Sequence, residues 1–314
     1  MFMKNDFFGK DVISVNDYSR EDLELLFSRT NEMKKLVEER GGDERLKRKM
    51  MAALFYEPSS RTFSSFISAM QRLGGGIIPL NGMTNTSVAK GETLEDTARV
   101  FSAYVDVLVI RHSQAGSLAT AAKYCSKPII NAGEGATGEH PTQAFIDLFT
   151  IKKIFGRIEG LHFLIIGDLA HYRPTNSLMM ALTNFKNITL TLATPKQVPI
   201  QDYVRKFLKV SKISFSETSE FDKLLPEVDV LYVTRVKKEY MSESLYREIQ
   251  GSYIVNNSLV KKMKKKSLIM HCLPRIDEID KEVDDDPRSV YFRDQLQNGL
   301  YVRMALLDLV LNKD

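Results

Sequence analysis

Short uninterrupted apolar runs alternate along this chain with longer stretches whose apolar residues recur every three or four positions. The first four runs lie at 51–55, 76–80, 105–110 and 128–130, and the next four at 161–166, 188–192, 228–233 and 267–271. A continuous apolar run of this length, without polar alternation, is the mark of a strand buried on both faces. The intervening stretches are long enough for crossover helices, so strand and helix alternate and the sheets are parallel. Near the start, Ser19-Arg20-Glu21-Asp22 leads into Leu23, Leu25, Leu26 and Phe27, an N-terminal capping pattern for an amphipathic helix toward Glu38 or Glu39. Residues 143–155 place Phe145, Leu148, Phe149 and Lys152 at helical spacing between the two sets of runs. That segment predicts a connecting helix and a domain boundary near 144–156, giving domains at 1–144 and 145–297. The last segment, 298–311, is apolar on one side and predicts a terminal helix, which we assign with 298–314 to the first domain. The predicted fold class is α/β, two doubly wound parallel-sheet domains joined by helices.

Composition narrows the picture. A length of 314 residues suits two domains, and 43% hydrophobic residues can fill their cores. The 44 Lys and Arg against 40 Asp and Glu leave a net charge of +4, too small to argue for nucleic acid. Cys125 and Cys272 form neither a disulfide framework nor a zinc spacing, so no metal is expected and a reducing cytoplasm is. Residues 1–10 carry Lys4, Asp6 and Lys10 and lack the apolar core of a signal peptide, and no uncharged stretch is long enough to span a bilayer. No membrane or nucleic-acid partner is expected. The run Lys261-Lys262-Met263-Lys264-Lys265-Lys266 precedes an apolar strand and reads as the solvated end of a helix. Ile166-Gly167-Asp168 has one glycine where a dinucleotide fingerprint needs three, and no phosphate-binding P-loop motif is present, so no cofactor is expected.

In open parallel sheets, ligands bind beyond the carboxyl ends of the strands, and that rule ranks the loops. After the first strand comes Glu57-Pro58-Ser59-Ser60-Arg61-Thr62, with Phe66, Ala69, Met70 and Leu73 following at helical spacing. Hydroxyls, free backbone N–H groups and a guanidinium at a helix N-terminus make a cup for a phosphate dianion. A plain N-cap would use the same residue types. Ser87 and Lys90 follow the second strand, and Arg111 and His112 end the third. After the fourth, residues 133–143 form a glycine-rich loop, expected to flex around a ligand, that ends in His140 and Gln143. An imidazole and a carboxamide there could polarise a carbonyl oxygen, while a structural histidine is the simpler alternative. In the second half, the corresponding positions supply Arg173, Arg235 and Leu273-Pro274-Arg275. Arginines after successive strands suggest a grip on a multiply anionic substrate, ideally a dicarboxylate.

At these residues the sequence resembles the aspartate/ornithine carbamoyltransferase family over nearly its whole length. Phe55-Tyr56-Glu57-Pro58-Ser59-Ser60-Arg61-Thr62 is similar to the family's carbamoyl-phosphate signature, and His140-Pro141-Thr142-Gln143 and Leu273-Pro274 resemble two further motifs. Thr234-Arg235-Val236 and residues 273–279 are similar to aspartate-type members, where ornithine-type members carry Ser-Met-Gly at 234–236. The resemblance implies an active site in the cleft between the domains. It also implies carbamoyl transfer from carbamoyl phosphate to the amine of L-aspartate, within pyrimidine biosynthesis. Arg61, Thr62, Lys90, Arg111, His140 and Gln143 would then be catalytic. Ser59, Ser60, Arg61, Thr62, Arg111, His140 and Gln143, with the carbonyls of Leu273 and Pro274, would hold carbamoyl phosphate in a site based on the first domain. Ser87, Lys90, Arg173, Arg235 and Lys237 would hold aspartate in a site based on the second. The loop 87–92 resembles one that reaches a neighbouring subunit's site, which implies a homotrimer with shared sites, with or without a regulatory chain. Departures from the family pattern are Phe63 for an Arg, Lys237 for a Gln, and the bulkier His171-Tyr172-Arg173-Pro174. Met270-His271-Cys272-Leu273-Pro274 is similar to an ornithine-type motif, so another amino-acid acceptor, or a relative that binds without catalysis, stays as an alternative.

Overall fold

The computed structural model describes residues 5–313, so residues 1–4 of the segment read above for a leader, and residue 314 of the terminal one, lie outside the described part. The chain divides into two compact units, Met1–Phe149 with Asn298–Asp314, and Thr150–Gln297. Among the described residues, no helix is long and apolar enough to cross a membrane.

The first unit opens with α1 (Arg20–Arg40), whose N-terminus is closed by Ser19 and Asp22 in a reciprocal capping box and whose C-terminus ends on Gly41 in the left-handed region. There follow β1 (Met50–Phe55), α2 (Ser60–Arg72), β2 (Gly76–Asn81), α3 (Leu94–Ser102), β3 (Val107–His112), α4 (Ser117–Ala122), β4 (Ile129–Glu134) and α5 (Pro141–Phe155). The four strands are parallel in the order β2-β1-β3-β4. Ala52, Leu54, Leu108, Ile110 and Ile129 pack beneath Ala98, Leu118 and Ala121 of α3 and α4. Three strands differ from the sequence expectation: β2, at the sheet edge, is half-exposed rather than buried on both faces. β3 starts and ends two residues later than its apolar run, and β4 runs past its run to Glu134 because Asn131, Ala132, Gly133 and Glu134 are all buried.

The second unit contains β5 (His162–Ile166), α6 (Arg173–Leu182), β6 (Thr189–Ala193), α7 (Asp202–Val210), β7 (Ser214–Thr218), β8 (Val230–Val233), α8 (Glu243–Ile249), α9 (Asn257–Val260) and β9 (Leu268–Met270). Its parallel order is β7-β6-β5-β8-β9. Leu164, Ile166, Leu231, Val233 and Ile269 join Leu225, Val255, Val260 and Tyr291 in one core cluster. Strand β7 was not legible, because an edge strand reading Ser-Phe-Ser-Glu-Thr has no apolar run to show.

The terminal helix, α10 (Asp294–Leu311), was expected to be apolar on one side only. Instead, residues 301–311 are buried all round, Arg303 and Asp308 included. Asp308 is neutralised by Arg29 and by Arg45 at 3.1 Å. The Arg303 guanidinium lies 5.2 Å from the centre of the Phe66 ring, and burial pulls its pKa down to about 9, opposed by Asp147. Buried charges persist only where such partners offset desolvation. The last turn is tied to the N-terminal segment by the Gly9 N–H, which donates to the Val310 carbonyl at 3.0 Å.

Candidate functional site

Each sheet has one place where the chain, having laid strands outward in one direction, returns to build in the other. In the first unit it falls between β1 and β3, and in the second between β5 and β8. Loops leaving the carboxyl ends of two such neighbouring strands diverge to opposite faces and leave a crevice between them.

At the first crevice, the loop after β1 delivers Ser59, Ser60, Arg61 and Thr62 to the start of α2. Ser59 is the N-cap residue, yet its hydroxyl makes no capping hydrogen bond. A plain cap would have satisfied the first-turn N–H groups internally. The Ser59 hydroxyl therefore does not act as a plain cap of α2. The Ser59 N–H is held by Asn81 Oδ1 at 3.3 Å, at the end of the adjacent β2. Across the crevice, Arg111 is paired in register with Phe55, and its Nε donates to Glu57 Oε2 at 3.2 Å. The next residue, His112, has its pKa lowered by burial, with Glu57 and Glu95 opposing, and its Nδ1 accepts from the Gln114 N–H at 3.1 Å. A neutral ring with one nitrogen already engaged is a structural histidine.

The glycine-rich loop differs from its expected role. The Glu134 N–H bonds the Glu139 carbonyl at 3.1 Å, the Gly135 N–H bonds the His112 carbonyl at 2.9 Å, and Glu134 Oε2 receives the Leu118 N–H at 3.1 Å. A Cβ on Gly135 would lie 2.6 Å from the Ala115 backbone nitrogen, and one on Gly138 would lie 2.4 Å from the Glu134 carbonyl oxygen. These glycines therefore serve close backbone packing rather than flexibility. The rigid loop presents His140, buried and with Nδ1 3.3 Å from Thr142 Oγ1, and Gln143, whose amide donates to buried Asp147 at 2.8 Å. With its NH2 so oriented, Gln143 keeps its carbonyl oxygen for another donor. Ser87 and Lys90 stand on an exposed 3-10 turn (Ser87–Lys90) that follows β2, the edge strand.

At the second crevice, Gly167 and Asp168 follow β5. The Asp168 carboxylate is fully buried and organises the loops: it accepts the N–H groups of Ala170 and His171 at 3.1 Å each and that of Lys237 at 3.3 Å, and contacts His171 Nδ1 at 3.1 Å. Arg173 opens α6, nine-tenths buried. Arg235 follows β8 and is bound by Glu239. Burial opposes the Arg235 charge, and Glu239 more than restores it, so the net pKa rises. Lys237 lies near both guanidiniums: burial first, then Arg173 and Arg235, bring its pKa down to about 8. Three cations thus gather in one crevice. Arg275, grouped with them on sequence, does not join: Asp284 holds its fork, and the Tyr291 and Phe292 rings flank it at 5.9 and 5.4 Å.

Leu273 and Pro274 lie on the loop after β9, joined by a cis peptide bond. The Leu273 N–H donates to His271 Nδ1 at 2.8 Å, while His271 Nε2 faces Glu278 Oε1 at 2.7 Å. The pair fixes the ring and through it the Leu273 backbone. Cys272, whose segment is similar to an ornithine-type motif, donates its thiol to the Tyr172 hydroxyl at 3.3 Å. The supporting groups Glu57, Asp147, Asp168, Glu239, His271 and Glu278 were not singled out on sequence. One of them had a signal, since Asp147 stands one helical turn after Gln143 in α5.

Hydroxyls and arginines at one switch point and three neighbouring cations at another mark a two-unit parallel α/β protein of the class that receives ligands at strand ends. Comparison with known proteins fixes the family. Residues 10–153 match the aspartate/ornithine carbamoyltransferase carbamoyl-P binding domain, and residues 159–310 the Asp/Orn binding domain. The chain belongs to the aspartate/ornithine carbamoyltransferase family. It is 45% identical over 304 residues to an aspartate carbamoyltransferase catalytic subunit of Thermoplasma volcanium, covering 96% of this chain and 98% of that one. Among solved structures, it is similar to Trypanosoma cruzi aspartate transcarbamoylase in complex with carbamoyl phosphate, with a TM-score of 0.92, 35% identity and 98% of both chains covered. The same enzyme in complex with carbamoyl phosphate and aspartate matches with a TM-score of 0.91 and 34% identity, covering 98% of this chain and 97% of that one.

Proposed function

We propose that this chain transfers the carbamoyl group of carbamoyl phosphate to the α-amine of L-aspartate, giving N-carbamoyl-L-aspartate and phosphate for pyrimidine biosynthesis. The observation that carries the choice of acceptor is the convergence of Arg173, Arg235 and Lys237 in the second crevice. Three cations suit an acceptor with two carboxylates. The side-chain ammonium of ornithine would meet like charge, which costs affinity.

In this reading, the unit of 1–144 with 298–314 holds the donor and residues 145–297 hold the acceptor. Ser59, Ser60, Thr62, Arg61 and Arg111 bind the phosphate, while His140 and Gln143 face the carbamoyl oxygen and amide. The carbonyls of Leu273 and Pro274 accept from the carbamoyl NH2 and the attacking amine. The neutral amine adds to the carbonyl carbon, and negative charge develops on the carbonyl oxygen, where His140 and Arg111 stabilise it. The carbonyl then re-forms, the C–O bond to phosphate breaks, and the departing phosphate takes the bonding pair and the proton lost by nitrogen. Arg61 stabilises charge on the bridging oxygen. Most of the acceleration comes from alignment and fixed charge rather than covalent participation. Ser87 and Lys90, exposed on their own turn, serve the site of a neighbouring copy in a homotrimer, and the setting is cytoplasmic.

The test is turnover of carbamoyl phosphate with a panel of amino acids, reading both phosphate and the carbamoylated product. Aspartate should be consumed and ornithine ignored. Turnover of ornithine without aspartate would overturn the acceptor assignment. Binding of a phosphonate analogue without turnover of any amine would mark a non-catalytic relative.

A further inference from the structure

We propose that Lys237 is a titrating third cation of the acceptor crevice, seated between Tyr172 and Tyr240, so that its proton sets the affinity for a dicarboxylate. The inference deepens the function proposed above and rests on its acceptor crevice.

The seat is built rather than incidental. Lys237 Nζ stands 5.3 Å from the centre of the Tyr172 ring and 5.1 Å from that of Tyr240. Such distances are those of cation–π attraction. Tyr172, fully buried, is held from behind by the Cys272 thiol at 3.3 Å. Tyr240 stacks on His171 with centroids 5.6 Å apart and planes 9° from parallel, and His171 is anchored to Asp168 at 3.1 Å. The Lys237 N–H bonds the same carboxylate at 3.3 Å. Tyr172 and Lys237, where this chain departs from its family pattern, and Cys272, in a segment similar to ornithine-type members, thus contact one another in series. They form one substituted unit in place of a neutral carboxamide.

The charges around the ammonium come from every loop packed on it. The connection from β5 to α6 supplies Asp168, His171 and Arg173; the segment after β8 supplies Arg235, Glu239 and Tyr240; the loop after β9 supplies Cys272. Burial, Arg173 and Arg235 drive the proton off Lys237, while Cys272 and Glu239 retain it, and the balance brings the pKa down to about 8. A guanidinium in this place would keep its charge at any relevant pH, but an ammonium does not. A bound dicarboxylate adds negative charge beside Nζ and favours the protonated form. By linkage, protonation of Lys237 must then favour the dicarboxylate. The sign follows: affinity is highest below pH 8 and falls as pH rises above it.

Succinate is the appropriate probe, because it has both carboxylates of aspartate and no amine to titrate. Its binding to the intact protein, in saturating phosphate, is measured by calorimetry from pH 7 to pH 9. Affinity should fall about tenfold across that span in the wild type, the loss expected when a group of pKa near 8 must regain its proton. K237Q should bind more weakly at pH 7 and change little with pH. K237R should bind well and stay flat, which also separates Lys237 from His171 and Cys272 as the titrating group. Parallel wild-type and K237Q profiles, or no succinate binding at any pH, would overturn the proposal. Because the readout is binding, failure of aspartate turnover with the succinate profile intact would sink the function and spare the Lys237 assignment.

Discussion

Arg61 stands exposed on the first turn of α2, outside the buried core of the described residues. Its proposed work is confined to charge that appears on the leaving phosphate. Removing one such stabilising donor costs about 10²- to 10³-fold in turnover number, so Arg61→Ala should lose activity on that scale with an unchanged thermal midpoint. A wild-type turnover number would remove Arg61 from the chemistry. The placement of residues of this kind after strand ends was legible, because the apolar runs mark where each strand stops. Arg275 shows where that rule stops: it follows a strand as Arg235 does, yet its fork is taken by Asp284 nine residues on. Arg235 is also occupied, by Glu239. What separates them is that Arg235 follows β8, beside the switch point, and strand order is not written in any local stretch of sequence. The same gap hid Asp168, which was noted only as part of a failed nucleotide motif although it ties together Ala170, His171 and Lys237.

At the scale of elements, the crevice in the second sheet depends on how closely the ends of β5 and β8 approach. Gly167 has φ +112°, and a Cβ there would lie 2.3 Å from the Thr234 carbonyl oxygen and 2.4 Å from its Oγ1. The contact is with backbone, so relief requires the strand ends to part, carrying the segments of Arg173 and Arg235 with them. Gly167→Ala should therefore destabilise the protein by roughly 2–4 kcal/mol, overpacking added to backbone strain. It should also raise KM for aspartate more than KM for carbamoyl phosphate. Gly251→Ala is the matched control, since Gly251 also has positive φ but only Ile254 Cδ1 at 3.9 Å nearby. It should cost about 1–2 kcal/mol and leave both KM values alone. Equal denaturation midpoints for the two variants would show that the strand ends do not bear on that glycine. Among the described residues eight of the nine strands were legible from continuous apolar runs, which burial on both faces forces in the inner strands, while β2 shows such a run at a half-exposed edge. The ninth, β7, lies at an edge with none of its residues buried, and the polar end of β4 is buried where no hydrophobic pattern announces it.

For the whole molecule, the two sheets are separate realisations of one rule, each placing its cations beside its own switch point. Ser87 and Lys90 escape that rule. They follow β2, an edge strand outside the β1–β3 crevice, on an exposed turn closed by Gly91 in the left-handed region. In the proposed reading Lys90 serves the site of a neighbouring copy, because a closed ring of identical subunits would give every site one such donor. Subunit mixing tests the idea without any structure of the assembly. Arg61→Ala and Lys90→Ala should each be nearly inactive alone. In randomly reassembled trimers from equal amounts, a site is intact when its cup comes from a Lys90→Ala chain and its lysine from an Arg61→Ala chain. That occurs in about one half times one half, or about a quarter, of sites. Recovery toward a quarter of wild-type activity after verified exchange is the expected result. If each chain completed its own site, no mixed trimer could contain an intact one, and activity would stay at the level of the separate variants.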